Sequence, residues 1–265
     1  MTSNYYKSVK NYYDKDAADF DNRYWQNPVL QLIRQSFREE VKKYPLGRIL
    51  EIGIGTGLDL VHFGLTHPGS KVYGIDISKE MCRLAENKRM DLGLENITVR
   101  EGVVEDIDLL FPGQKFDMIY VFFGALNTVA DLNETAGILT RKLNKSGVMV
   151  LSFVNKYYLA GMLIELVKFR FKNAFARLRP VWGGYSSVKY LPSRCYSPHE
   201  ITKAFSELEV LKKKGYCIIH PAWYYPNLNR RLERIRNVLW KADQLLNKTP
   251  LWKFGEYTLF VFKQH

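Results

Sequence analysis

The chain has 265 residues, 46% of them apolar and 14% aromatic. That is enough to close one sizeable core and excludes wholesale disorder. Its 39 lysines and arginines face 27 acids, a net charge of +12, and its three cysteines, Cys82, Cys195 and Cys217, exclude a disulfide framework and contain no CxxC pair for zinc.

The charge is uneven. Residues 1–150 carry 19 basic and 20 acidic side chains, whereas residues 151–265 carry 20 and 7. The excess therefore bears on the partners of the second half alone. No apolar leader opens the chain, which with the sparse cysteines fits a reducing, cytoplasmic setting. The longest apolar run, 118–126, falls far short of the ~18 residues of a membrane span. The five histidines show no metal-ligand spacing.

In chain order, residues 11–25 alternate aromatic and acidic side chains. Leu30, Ile33, Phe37 and Val41 then step at helical spacing, closed by Pro45 and Gly47. Strands are expected at 48–52, 71–75, 97–100, 116–122 and 147–154. Helices are expected from 57, over 79–91 and near 131–143. Such alternation predicts a single α/β domain. It would have a seven-stranded, mostly parallel sheet with helices on both faces, its last strand antiparallel. After residue 154 the alternation stops. The basic, apolar-rich stretch 159–179 reads either as an inserted helix with a solvated basic face, as a cap over a pocket, or as a weak membrane-surface contact. Residues 182–185, with two glycines, read as a mobile segment. Ser197 is an expected N-cap with Pro198 at the first helical position. A helix is expected over 230–246, and strands over 208–219 and 257–262.

The most informative segment is Glu51-Ile52-Gly53-Ile54-Gly55-Thr56-Gly57. Glycines after a strand let the backbone turn sharply and approach a ligand. A dinucleotide loop would want glycine at position 58, which is leucine, and a carboxylate at 51 would repel pyrophosphate. The Gly-Lys-Ser/Thr of phosphate loops is absent. Asp76 ends the next strand, 23 positions after Gly53, close to the ~20 expected for an acid on a ribose diol. Together the two acids suit a ligand with an ammonium and a ribose but no phosphate. S-adenosylmethionine is such a ligand.

These motifs, with the Gly102 segment and the strand opening Phe116-Asp117, resemble the Rossmann-like class I S-adenosylmethionine-dependent methyltransferases. The Tyr12-Tyr13-Asp14 and Phe20-Asp21 pairs are similar to the small-molecule branch that contains the ubiquinone and menaquinone enzymes. The resemblance implies a role for each matching position. Glu51 would meet the methionine amino group, and Gly53, Gly55, Thr56 and Gly57 would line the methionine part. Asp76 would hold both ribose hydroxyls. Ile77 and Met81 would pack near the adenine, opposite Gly102, Val103 and Val104. The family commonly has an acid where this chain has Val103, which leaves the adenine amino group to Glu105, Asp106 or a backbone carbonyl. Tyr13 resembles the family's lid tyrosine, within an N-terminal lid of about residues 1–45. The cap would span about 155–195.

Phe122 or Phe123 follows the fourth strand, where an aromatic face would attract a sulfonium by ~0.5–2 kcal/mol; both also suit a core. Asn127 and Arg194 are candidates for acceptor contact. The expected activity is methyl transfer to oxygen, nitrogen or carbon of a small, partly apolar, acidic molecule. An RNA-directed methyltransferase and a non-catalytic cofactor-binding protein are the alternatives. The segment after the fourth strand lacks the Asn/Asp-Pro-Pro-aromatic motif of base methylation, and no Pro-Cys nucleophile appears, so nucleic acid is not the expected partner.

Overall fold

The computed structural model describes residues 2–183 and 190–264. In chain order its helices are α1 (Thr2–Trp25), α2 (Pro28–Val41), α3 (Leu58–Thr66), α4 (Lys79–Asp91), α5 (Ile107–Leu110), α6 (Leu132–Lys142), α7 (Leu159–Val167), α8 (Phe171–Ala174), α9 (Pro198–Ala204), α10 (Pro226–Arg231) and α11 (Arg236–Leu246). The strands are β1 (Arg48–Ile52), β2 (Lys71–Asp76), β3 (Ile97–Glu101), β4 (Phe116–Val121), β5 (Leu143–Val154), β6 (Glu209–Tyr216) and β7 (Tyr257–Lys263).

The strands form one sheet in the order β3-β2-β1-β4-β5-β7-β6. The first five are parallel, and β7 lies antiparallel between β5 and β6. Strands buried on both faces read as continuous apolar runs, and 49–52 and 118–121 have almost no exposure. Apolar clusters cover both faces: Ile33, Phe37 and Phe63 on one, Ile107, Leu139 and Phe205 on the other. The Rossmann-like sheet expected from the sequence is therefore present. Strand order reverses between β1 and β4, and ligands bind outside the carboxyl ends of strands at such a switch point.

Local signals explain most boundaries. Asn27 caps α2, its side chain accepting from the N–H groups of Val29 and Leu30, and Pro28 follows. Ser78 caps α4. Ser197 caps α9 with Pro198 following, as expected, and Glu200 completes a reciprocal capping box.

Three elements differ from expectation. Residues 11–25 belong to one 24-residue helix, α1. The single helix expected within 159–179 is two short helices broken at Phe169, which adopts φ +56°. The helix expected over 230–246 is broken between α10 and α11 by a 3-10 turn, Glu233–Ile235. Gly184 and Tyr185, in the segment read as mobile, lie outside the described residues.

Candidate active site

The loop between β1 and α3 is built by close approach. Gly53 has φ +71°, and a Cβ there would come within 2.5 Å of the Ala125 side chain. Gly57 opens α3 at φ +81°, and a Cβ there would meet Ala85 at 2.7 Å. Any other residue at either position would be strained and would push the loop off its neighbours. The N–H groups of Gly53 and Ile54 both donate to the Ile75 carbonyl, which locks the loop to the end of β2.

Two carboxylates stand at these neighbouring strand tips. Asp76 accepts from the N–H of Gly55 at 2.8 Å and of Ser78 at 2.9 Å. Burial outweighs those donors and lifts its carboxyl from the usual 3.8 to about 6. Glu51 accepts from the Tyr120 hydroxyl at 2.7 Å. Burial, then the nearby Asp59 carboxylate, hold Glu51 well above the usual carboxylate range. Asp59 itself is occupied by Arg34 and by Arg38, whose Nε donates at 2.7 Å. Glu51 is thus a buried acid with no ion-pair partner among the described residues. A ligand ammonium placed beside it would draw its pKa down and be held in turn.

Both acids open into one cavity of about 410 Å³, within the ~300–1,000 Å³ of small-molecule sites. Gly53, Gly55, Ile77, Met81, Gly102, Val103 and Val104 all line it. Tyr13 enters from α1. Phe122 lines the cavity while packing on Phe37 and Tyr120, and Phe123, at φ +52°, lines it beside Phe122.

Six sequence candidates lie outside this cavity. Thr56 turns away, its hydroxyl donating to Asp21 of α1, and Gly57 serves the helix entry. Asn127 is fully buried and its amide is spent on backbone. Nδ2 donates to the carbonyls of Val154 (3.0 Å) and Arg194 (2.6 Å), while Oδ1 accepts from the Val154 N–H at 2.8 Å. It holds the end of β5 to the segment before α9. Arg194 is exposed, pairs with Glu200 at 3.0 Å, and lines a separate shallow depression with Tyr5 and Tyr196. Of the acids near Val103, Asp106 accepts from the Val103 N–H at 3.1 Å and Glu105 from the Tyr6 hydroxyl at 2.5 Å. Neither lines the cavity.

Sequence reasoning missed Arg34. It lines the cavity from α2, with its guanidinium 4.6 Å from the Tyr24 ring and 4.7 Å from the Phe123 ring. Its Nε is buried without a hydrogen-bond partner among the described residues. It also missed the far wall, Trp223, Tyr224 and Tyr257, where the Trp223 indole donates to the Tyr257 hydroxyl at 3.1 Å. Together with Tyr24 and Phe123, whose ring lies 5.8 Å from that of Tyr257, these make one end of the cavity lining largely aromatic.

α1 crosses the cavity and is fastened to the loops that form it. Asp14 accepts from the Ser78 hydroxyl (2.6 Å) and the Glu80 N–H (3.2 Å). Asp21 accepts from Thr56 and from Lys88, the latter at 2.5 Å. Tyr6 donates to Glu105 and accepts from the Ala130 N–H at 3.2 Å.

Comparison with known proteins places this arrangement. Residues 45–249 match a family described as a methyltransferase domain. An uncharacterized protein of Methanocaldococcus jannaschii is 26% identical over 263 residues, covering 97% of this chain and 90% of that protein. A ubiquinone/menaquinone biosynthesis C-methyltransferase of Geotalea daltonii is 30% identical over 181 residues, covering 66% of this chain and 73% of that protein. Among solved structures, a chain of the complex between the Haloferax volcanii Trm112 methyltransferase activator and its methyltransferase superposes with a TM-score of 0.58. The two are 16% identical, with 95% and 97% of the chains covered, a likeness that shows the fold.

Proposed function

The chain belongs to the methyltransferase-domain family and is an S-adenosylmethionine-dependent methyltransferase; on that premise we propose that it methylates a small, partly apolar acceptor held at the aromatic end of the cavity. The residues present fit the cofactor. Asp76 offers a carboxylate to a ribose diol, Glu51 a buried acid to an ammonium, and Arg34 a desolvated guanidinium to a carboxylate. Ile77, Met81, Val103 and Val104 offer an apolar slot for a base. Bound there, the cofactor supplies an electrophilic methyl group.

The chain's own contribution is placement. Tyr120 fixes the Glu51 carboxyl by its 2.7 Å hydrogen bond. Phe122 and Phe123 present aromatic surface beside Glu51, where it favours a cation. α1 lines the site along much of its length, and aligning two reactants in a pocket supplies much of such a rate enhancement. α1 acts in this reading as a lid. Arg177, from the segment after β5, buttresses the aromatic wall: its Nη2 donates to the Tyr224 hydroxyl at 2.9 Å.

The observation that carries the small-acceptor reading is the aromatic end itself: Tyr24, Phe123, Trp223, Tyr224 and Tyr257 line one cavity and suit a flat apolar molecule. The similarity to a quinone-pathway C-methyltransferase supports the same class. The test is incubation with methyl-labelled cofactor and fractionated cell extract. Label in the organic-soluble small-molecule fraction is expected. Label confined to RNA, or transfer to no fraction by folded protein, would overturn the proposal.

A further inference from the structure

The hinge between α7 and α8 is built in an unusual way. The Phe169 N–H donates to the Leu166 carbonyl and the Arg170 N–H to the Glu165 carbonyl, both at 2.9 Å. That pair of bonds is a Schellman closure, and Phe169 occupies the left-handed position where glycine costs least. A phenylalanine at φ +56° is strained, and the residue is 81% exposed, with its ring 6.5 Å from that of the exposed Phe171, so burial does little to offset the strain. Strain kept at an exposed position points to function.

The surroundings share that character. Leu163 (54%), Val167 (78%), Phe171 (58%) and Phe175 (45%) are exposed within the same thirteen residues. Lys168, Arg170, Lys172 and Arg179 are interleaved and exposed. The one acid of the stretch, Glu165, is occupied by Lys168 and Tyr225. An apolar cluster of this kind marks an interaction site. Interleaved cations select what covers it: an acidic surface that also accepts apolar side chains.

We propose that the Phe169 hinge docks this enzyme on the surface of an anionic lipid bilayer, with Phe169 and Phe171 entering the headgroup boundary and Lys168, Arg170 and Lys172 meeting lipid phosphates. Rings at the boundary and cations beside them are the two signals that interfacial binding needs. No helix among the described residues is long and apolar enough to cross a membrane, so the contact is peripheral. The hinge is close to the active cavity: Lys168 lies 4.8 Å from the Tyr225 ring, and Tyr225 follows the cavity-lining Tyr224. Docking would therefore hold the aromatic wall near the lipid surface. The proposal does not depend on which acceptor is methylated.

Flotation of the full chain with vesicles tests it. Vesicles with about a third phosphatidylglycerol are expected to carry most of the protein, and pure phosphatidylcholine vesicles at least tenfold less. Raising salt from 0.1 to 0.5 M should release it. The F169G/F171S variant keeps the hinge, since glycine fits the left-handed position, and should lose vesicle binding at least tenfold while its affinity for S-adenosylhomocysteine and its thermal midpoint do not fall. Three results would each overturn the proposal: equal binding to neutral vesicles, undiminished flotation of the variant, or a stable dimer in solution that F169G/F171S dissociates. The last would assign the surface to a second copy of the chain.

Discussion

At Asp76, two backbone N–H groups are outweighed by burial, and the carboxyl titrates at about 6 rather than 3.8. The sign follows directly. The ligand-free fold holds this proton more tightly than the unfolded chain, so this group's share of stability falls as pH rises from about 4 to about 6 and is level above. Ribose hydroxyls donate to the ionised form, so affinity for S-adenosylhomocysteine should hold at pH 7–8 and fall by up to about tenfold per unit below pH 6. Hydrogen bonds to a charged group contribute about 1.5–3 kcal/mol each. D76N should accordingly lose roughly 10–100-fold in affinity at pH 7.5 and flatten the acid limb, both read by calorimetric titration. Burial, then Asp59, raise the Glu51 carboxyl well above the usual carboxylate range, and an arriving ammonium should lower its proton affinity and so shift protons on binding. The binding enthalpy should then vary with the buffer's ionisation enthalpy, and E51Q should remove most of that variation. Both acids were legible in the sequence because a charged residue at the end of a buried strand has few structural uses. Arg34 carried a signal that was not used: it falls between Leu30, Phe37 and Val41 on the apolar face of an amphipathic helix, where a cation demands a partner. Asn127 stood at the right place after β4, but a side-chain amide serves backbone as readily as ligand, and only the contacts showed which.

Among elements, α1 is the one whose form was least visible. Most of its aromatic residues face a cavity rather than a core, and its acids Asp14 and Asp21 bind loops, so neither gives a clean apolar stripe. The fastening implies a rate effect. D21A removes the acceptor for Thr56 and Lys88, which should cost about 1 kcal/mol of stability. It should also speed S-adenosylhomocysteine release several-fold in stopped-flow displacement, more than it changes association. The α7–α8 hinge escaped prediction because no glycine or proline marks it. The same strain gives a stability test: F169G alone should raise the unfolding free energy by about 1 kcal/mol, measured by urea denaturation.

Across the whole molecule, the alternating pattern up to residue 154 specified the parallel sheet because crossovers between parallel strands leave few topologies. The half beyond it was harder to read, since its order depends on long-range polar contacts. Arg177 is the centre of these. It reaches Glu256 at 2.8 Å, the Asn155 carbonyl at 3.1 Å and the Tyr224 hydroxyl, and its guanidinium lies 4.7 Å from the Trp182 ring. These bonds join the segment after β5 to the start of β7 and to the aromatic wall. Removing one member of a buried pair leaves the other charge uncompensated, at a cost of about 3–5 kcal/mol. R177M should show a loss of that order in urea denaturation, and R177M/E256Q should recover part of it. The charge asymmetry belongs to this half too, and it describes a surface rather than the cavity, whose lining cations Arg23 and Arg34 both come from the first half of the chain.

The central claim is that acids at adjacent strand tips hold the cofactor, and a crystal structure of the complex with S-adenosylhomocysteine tests it most directly. The account predicts both ribose hydroxyls on Asp76, the amino group on the Glu51 side of the Gly53 loop and the carboxylate toward Arg34. A nucleoside seated away from β1 and β2, or bound with its ribose clear of Asp76, would contradict it.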